Sequence, residues 1–361
     1  MPRLFLIALA VVLFAAGCAT TTTRYKKSPI LAYGYHPYWM GDEWKDESVE
    51  ALDGIFFFEI EVEGDGSLRT SNGWPIRWTE LTQTARARGT VLAPTFTLFG
   101  SAKFDSVFTS PEAIRRLTAN VLGVATNEAA TGVHLDFEMF TAVDPVARLA
   151  YTQFVERIAV QLASTRPDAH LSVFLPPFDV PDAFDESRLA AAVDHVVVQG
   201  YDFHYRGSET SGPVAPIRGW GGQNWEGIAR RYALLGVPMD KILMAVPLYG
   251  YEWPTETDRP GSPTRGRGNT ISLGNVSKDR VPALEGSALA RAAQYGLQRD
   301  VQSGSAWYAY ERTDGWRQGW FEDEVSLRQK MDFVRMRGMA GVAFFPLGYD
   351  EGRTVARLLA E

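Results

Sequence analysis

Residues 132–138 read Gly132-Val133-His134-Leu135-Asp136-Phe137-Glu138. Along an extended strand, alternate side chains share a face. Val133, Leu135 and Phe137 form an apolar face suited to packing under helices, and His134, Asp136 and Glu138 fall together on the other. Three ionisable groups in one buried file are costly unless they pair or serve chemistry. The stretch is one of eight short runs rich in β-branched and aromatic residues: Ala32–Tyr38, Gly54–Glu59, Thr90–Thr95, Gly132–Glu138, His170–Leu175, His195–Tyr201, Ile242–Tyr249 and Ala340–Phe345. Helical patterns lie between most of them. Ser110-Pro111 opens one, with Ile114, Leu117, Val121 and Val124 on one face. Asp144-Pro145 opens the next, with Val146, Ala150, Phe154, Ile158 and Leu162 at helical spacing. A third runs from Asn224 to Leu235 and stops at Gly236. Eight alternating units argue for a closed (β/α)8 barrel of the TIM type, with an open doubly wound parallel sheet as the alternative. In a barrel the C-terminal end of a strand meets the ligand, which singles out Glu138.

Most gaps between strands suit one helical crossover, but the stretch from Tyr249 to Ala340 is far longer. Asp323–Arg337, with Leu327, Met331 and Val334 on one face, supplies the crossover helix. Residues 252–320 read as a small α+β insertion between the seventh strand and the seventh helix. It has a Gly/Pro/Arg-rich opening (Arg259–Asn269), a helical pattern (Ser287–Gln294) and a hairpin around Trp307–Trp320. The barrel unit is thus expected over residues 30–361.

The chain of 361 residues has 45% hydrophobic and 22% charged residues, which excludes a disordered chain and a polytopic membrane protein. A net charge of −7 gives no general basic field for nucleic acid. With a single cysteine there is no disulfide framework and no cysteine-based zinc site, and His36, His134, His170, His195 and His204 form no ligand spacing. No metal or cofactor is expected, and the chain is expected to be a monomer. At the N-terminus, Arg3 precedes the apolar run Leu4–Ala16, too short for a membrane-spanning helix and fit for a secretory signal over residues 1–17. Ala15-Ala16-Gly17-Cys18 resembles the lipobox of bacterial lipoproteins, in which the cysteine is acylated. Residues 18–29 then read as a polar tether holding an exported protein to an envelope membrane. The alternative is an ordinary signal and a free thiol.

Thr131–Glu138 also resembles the strand-4 signature of family 18 glycoside hydrolases, DGxDxDxE. Gly132, Asp136 and Glu138 match it, whereas Thr131 and His134 stand where the family usually has Asp or Asn. Gln199-Gly200-Tyr201-Asp202 resembles the family's strand-6 motif, and Gly212–Pro216 the loop that follows. Ile242–Tyr251 looks like strand 7. Trp320–Asp323 with Ser326 and Lys330, then Gly341-Val342 and Leu347-Gly348, resemble the end of the barrel. These motifs cover nearly all of residues 30–350 and look most like the branch of peptidoglycan- and spore-cortex-lytic enzymes.

The resemblance implies substrate-assisted cleavage of β-linked N-acetylglucosamine polymers, with the substrate's acetamido oxygen as nucleophile. Glu138 would be the general acid and then base. Asp136 would orient the acetamido N–H, Tyr201 would donate to the acetamido oxygen, and Asp202 would support them. A structural reading stands beside this one: a buried acidic pair, a core tyrosine and a capping aspartate. His134 could pair with Asp136 as imidazolium or be a satisfied core histidine. Aromatics recur just past the strand ends: Trp39, Phe58, Phe96, Phe203, Tyr249, Tyr251, Trp253 and Phe345, with Trp220 and Trp225 after the sixth strand. Such rings suit the apolar faces of sugars. Phe345 stands where the family usually has a tryptophan flooring the site. Peptidoglycan is favoured over chitin, since an envelope lipoprotein meets it directly. The rival function is a non-catalytic glycan-binding lipoprotein on the same scaffold.

Overall fold

A computed structural model of the chain describes residues 30–45 and 51–360. The signal segment, Cys18 and the tether lie outside the described residues. Among the described residues no helix is long and apolar enough to cross a membrane.

The strands in chain order are β1 (Leu31–Pro37), β2 (Gly54–Val62), β3 (Leu68–Thr70), β4 (Val91–Phe99), β5 (Gly132–Glu138), β6 (His170–Leu175), β7 (His195–Gln199), β8 (Ile242–Pro247), β9 (Tyr249–Thr255), β10 (Asn269–Ser272), β11 (Gln298–Arg299), β12 (Ala306–Arg312), β13 (Gly315–Phe321) and β14 (Gly341–Phe345). The helices are α1 (Thr79–Arg88), α2 (Ser101–Phe108), α3 (Pro111–Ala125), α4 (Pro145–Thr165), α5 (Glu186–Ala192), α6 (Trp225–Leu234), α7 (Ala288–Tyr295), α8 (Glu324–Met336) and α9 (Thr354–Ala360). One sheet runs β1-β14-β8-β7-β6-β5-β4-β2, and β1 also pairs with β2, so eight strands close on themselves. Every pair around this ring is parallel. The fold is therefore a (β/α)8 barrel, and the open sheet is excluded by the β1–β2 contact. β3 adds an antiparallel edge to β2, and α2 adds a second helix before α3; neither is expected from the sequence pattern.

Alternation along the strands sorts the core into two layers. Tyr33, Tyr35, Phe56, Phe58, Ala93, Val197, Leu243, Ala245 and Ala343 fill the barrel interior. Val133, Leu135, Phe137, Phe57, Phe96 and Val198 point outward into the layer under the helices. The anticipated caps hold those helices. Ser110 accepts the Ala113 N–H at 3.3 Å, Asp144 the Val146 N–H at 2.8 Å and Asn224 the Gly227 N–H at 2.9 Å. Gly236, at φ 76°, takes the left-handed turn that ends the α6 region.

Between β8 and α8 the chain forms a separate antiparallel sheet, ordered β10-β9-β13-β12-β11, with α7 against β12 and β13. This is the α+β insertion. It begins at Tyr249, directly after β8, and a buried polar network ties it to the barrel. Lys330 Nζ of α8 donates to Glu322 at 2.5 Å, Ser305 of the insertion donates to the other Glu322 oxygen at 2.6 Å, and Arg299 pairs with Asp323 at 2.6 Å. Arg280 also donates to the Met40 carbonyl at 2.9 Å, joining the insertion to the loop after β1.

Candidate active site

The β5 file ends at the mouth of the barrel, as its alternation requires. Val133, Leu135 and Phe137 are fully buried on the outer face, with Phe137 against Tyr151 at 5.5 Å between ring centroids. His134, Asp136 and Glu138 point inward. In register, Thr95 faces His134, Thr97 faces Asp136 and Phe99 faces Glu138 across β4.

His134 is a neutral, fully committed core residue. Its Nε2 meets the Tyr35 hydroxyl at 3.0 Å and its Nδ1 the Ser172 hydroxyl at 2.9 Å, and its ring stacks on Phe56 at 4.4 Å. Burial pushes its imidazole down to about 3. The imidazolium pairing with Asp136 is thereby overturned: burial disfavours the cation, and both ring nitrogens are already used.

Asp136 is 5% exposed and its Oδ1 has no hydrogen-bond partner among the described residues. Burial, then the Glu138 carboxylate, then Glu59, push its carboxyl well above the usual range. Burial, helped by the charge of Asp202, lifts Glu138 to about 7. A carboxyl at that value can give and take a proton near neutral pH, as general acid–base chemistry needs.

Tyr201 and Asp202 lie just past β7, which ends at Gln199. Gly200 makes the turn possible, because a Cβ there would come within 2.5 Å of the Ala245 carbonyl oxygen. Asp202 takes φ 63° and accepts hydrogen bonds from Tyr249 at 2.7 Å and Tyr251 at 3.0 Å. Burial raises its carboxyl to about 6, and the two tyrosine hydroxyls oppose the rise. The Tyr201 phenol is pushed up by burial and then by Glu138, Asp202 and Asp136, so it stays a hydroxyl donor. Its ring stacks on Phe345 at 5.9 Å with 16° between planes. Phe345 also meets Phe58 at 5.7 Å and Tyr35 at 5.5 Å, and Trp39 packs edge-on to Phe58 at 5.9 Å. An aromatic floor (Phe345, Phe58, Trp39, Tyr249) thus adjoins the carboxylates.

Other sequence candidates lie elsewhere. Trp253 is fully buried in the insertion, with its indole N–H donating to the Tyr205 carbonyl at 3.1 Å, so it presents no face to a ligand. Trp225 is likewise buried and donates to the Gly200 carbonyl at 2.7 Å, holding the turn before Tyr201. Phe96 faces the helix layer because it alternates with the inward Thr95 and Thr97. Trp220 is half-buried against Trp320 and donates to Asp300 at 3.2 Å. Sequence reading overlooked Tyr35 and Glu59. Glu59 sits toward the C-terminal end of β2, where a residue can meet ligand, but simple alternation with the inward Phe56 and Phe58 assigns it to the outer face. Among the described residues no group of three His, Cys, Asp or Glu is arranged to hold a metal ion.

Residues 79–350 match the glycosyl hydrolases family 18. The chain belongs to that family. It is 22% identical over 315 residues to the cortical fragment-lytic enzyme of Bacillus anthracis, covering 82% of this chain and 65% of that one. This family 18 chain thus spans about two thirds of that relative's length. The crystal structure of the Bacillus cereus spore cortex-lytic enzyme SleL superposes with a TM-score of 0.71 at 20% identity, over 92% of this chain and 75% of that one. The chitinase from Chromobacterium violaceum ATCC 12472 gives 0.71 at 23% identity, over 92% and 99%. These likenesses support the barrel with its insertion.

Proposed function

We propose that this family 18 chain is a glycosidase that hydrolyses β-linked N-acetylglucosamine-containing glycans, with peptidoglycan as its substrate. The observation that carries the reading is Glu138 at the mouth of the barrel, lifted to about 7 and two residues from a buried Asp136 whose Oδ1 has no hydrogen-bond partner among the described residues. Among the described residues no cation is paired with either carboxyl, which suits proton transfer better than a structural ion pair.

In this reading Glu138 protonates the leaving oxygen while the substrate's acetamido oxygen attacks the anomeric carbon. Tyr201, kept as a hydroxyl by its surroundings, donates to that oxygen and holds it in line. Asp136 takes the acetamido N–H and stabilises the positive charge that develops. Glu138, now a carboxylate, then takes a proton from a water whose oxygen attacks the anomeric carbon; the bond from that carbon to the acetamido oxygen breaks, the acetamide is restored and Glu138 is left protonated. Asp202 is a positioning residue, fixed by two tyrosine hydroxyls, whose charge keeps Glu138 protonated. Phe345 supplies an apolar face beneath the sugar.

Two sequence features stand behind the choice of peptidoglycan: the likeness to cortex-lytic relatives, and the signal with Cys18, through which the chain would be acylated and held at an envelope membrane. The test is release of new reducing ends from purified peptidoglycan and from N-acetylglucosamine oligomers. Glu138→Gln should lower turnover by about 10²–10⁴ while binding by calorimetry is retained. Binding by the wild-type protein without any product would replace the hydrolase by a glycan-binding protein. Turnover retained in Glu138→Gln would remove Glu138 from the role of acid.

A further inference from the structure

Glu59 is a buried carboxylate at the same mouth that the mechanism above does not use. The register of β2 against β4 slips between Phe58 and Ile60. A slip of this kind puts two successive residues on one side of a strand. Phe58 lies in the barrel interior and Ile60 in the helix layer, and Glu59 between them is 8% exposed. Its backbone is held by Asn72, which donates to the Glu59 carbonyl at 2.9 Å. Its carboxylate accepts from the Thr97 hydroxyl at 2.7 Å, and Thr97 is the register partner of Asp136. Glu59 and Asp136 therefore flank one threonine in adjoining strands.

We propose that Glu59 is a positioning residue for the reaction: its carboxylate, turned inward by the β2 slip and held by Thr97, sets the order in which Asp136 and Glu138 take up protons. The charged groups around it are few. Glu61 and Arg69 lie on the same hairpin and pair with each other, and Asp136 acts on it from β5, with Glu138 beyond Asp136 on the same strand. Burial raises the Glu59 carboxyl, the Thr97 hydroxyl opposes that rise by favouring its ionised form, and the charge of Glu59 adds to burial and Glu138 in making Asp136 hold its proton longer. On β5 Glu138 acts on Asp136 in the same sense, whereas His134 is neutral and bonded to Tyr35 and Ser172.

The inference rests on the hydrolase reading for its consequence but can be read without turnover. Two measurements serve: the pH profile of kcat/KM on N-acetylglucosamine oligomers, and the carboxyl titration of Asp136 by NMR in protein labelled with ¹³C at aspartate. Glu59→Gln should move both limbs of the profile, and the Asp136 titration, to lower pH by about one unit. Glu59→Asp, which keeps the charge, should move them by less than half as much. Thr97→Val, which removes only the hydroxyl, should move them in the same direction as Glu59→Gln. An Asp136 titration unchanged in Glu59→Gln would overturn the proposal, as would Glu59→Asp moving it as far as Glu59→Gln. A shifted titration in a protein without turnover would count against the hydrolase reading and leave this inference standing.

Discussion

Replacing Asp202 by asparagine separates charge from shape at this site. Asparagine keeps an oxygen for the Tyr249 and Tyr251 hydroxyls, so the local geometry survives, but the negative charge that helps hold a proton on Glu138 is gone. Asp202 itself titrates at about 6, so its charge is present at pH 7 and largely absent at pH 5. A neighbouring carboxylate shifts such a group by about one unit, which brings Glu138 from about 7 to about 6. At pH 7 the protonated, catalytically competent fraction then drops from about one half to about one tenth, while at pH 5 it changes by only about a tenth. kcat/KM on soluble N-acetylglucosamine oligomers, followed from pH 4 to 9, should therefore fall about fivefold at pH 7 and hardly at pH 5. The alkaline limb should slide toward acid by about one unit. A uniform loss at all pH values, or an alkaline limb that stays put, would refute the electrostatic role of Asp202.

The raised carboxyl of Glu138 also bears on stability. A carboxyl near 4.5 in the unfolded chain and about 7 in the fold binds its proton more tightly when folded, so stability falls as pH rises through that window. Glu138→Gln removes the cost and should be more stable than the parent by as much as about 3 kcal/mol above pH 7, with no gain below pH 4.5; urea unfolding at pH 8 and pH 4.5 checks both signs. At the junction of barrel and insertion, Lys330→Met strands the Glu322 carboxylate, whose other partner is Ser305. It should cost about 3–5 kcal/mol in the same assay, and adding Glu322→Gln should recover a good part of that.

The two-period alternation of β5 was readable without any tertiary knowledge, because it depends only on neighbours in the chain. So were the eight strands and the capped helices. Closure of the ring was not: it is made by β1 lying beside both β2 and β14, contacts between residues remote in sequence. The aromatic rim was legible only in part. Spacing from a strand end cannot say whether a ring faces the cleft, as with Phe345, or is sealed into the insertion or the helix layer, as with Trp253 and Phe96. Glu59 escaped notice because a one-residue slip in β2 reverses the face that simple alternation assigns.

Local pattern thus settles which residues belong to strands, which face apolar surroundings, and that Asp136 and Glu138 share a file. Protonation is another matter. His134 is neutral because burial inside the closed barrel pushes its imidazole down to about 3, with Tyr35 and Ser172 of two other strands taking both its nitrogens, and Glu138 rises to about 7 because burial and Asp202 act on it together. Periodicity is a property of consecutive residues, whereas desolvation and charge coupling act through space, so the acid–base character of the site exists only once the barrel has closed around it.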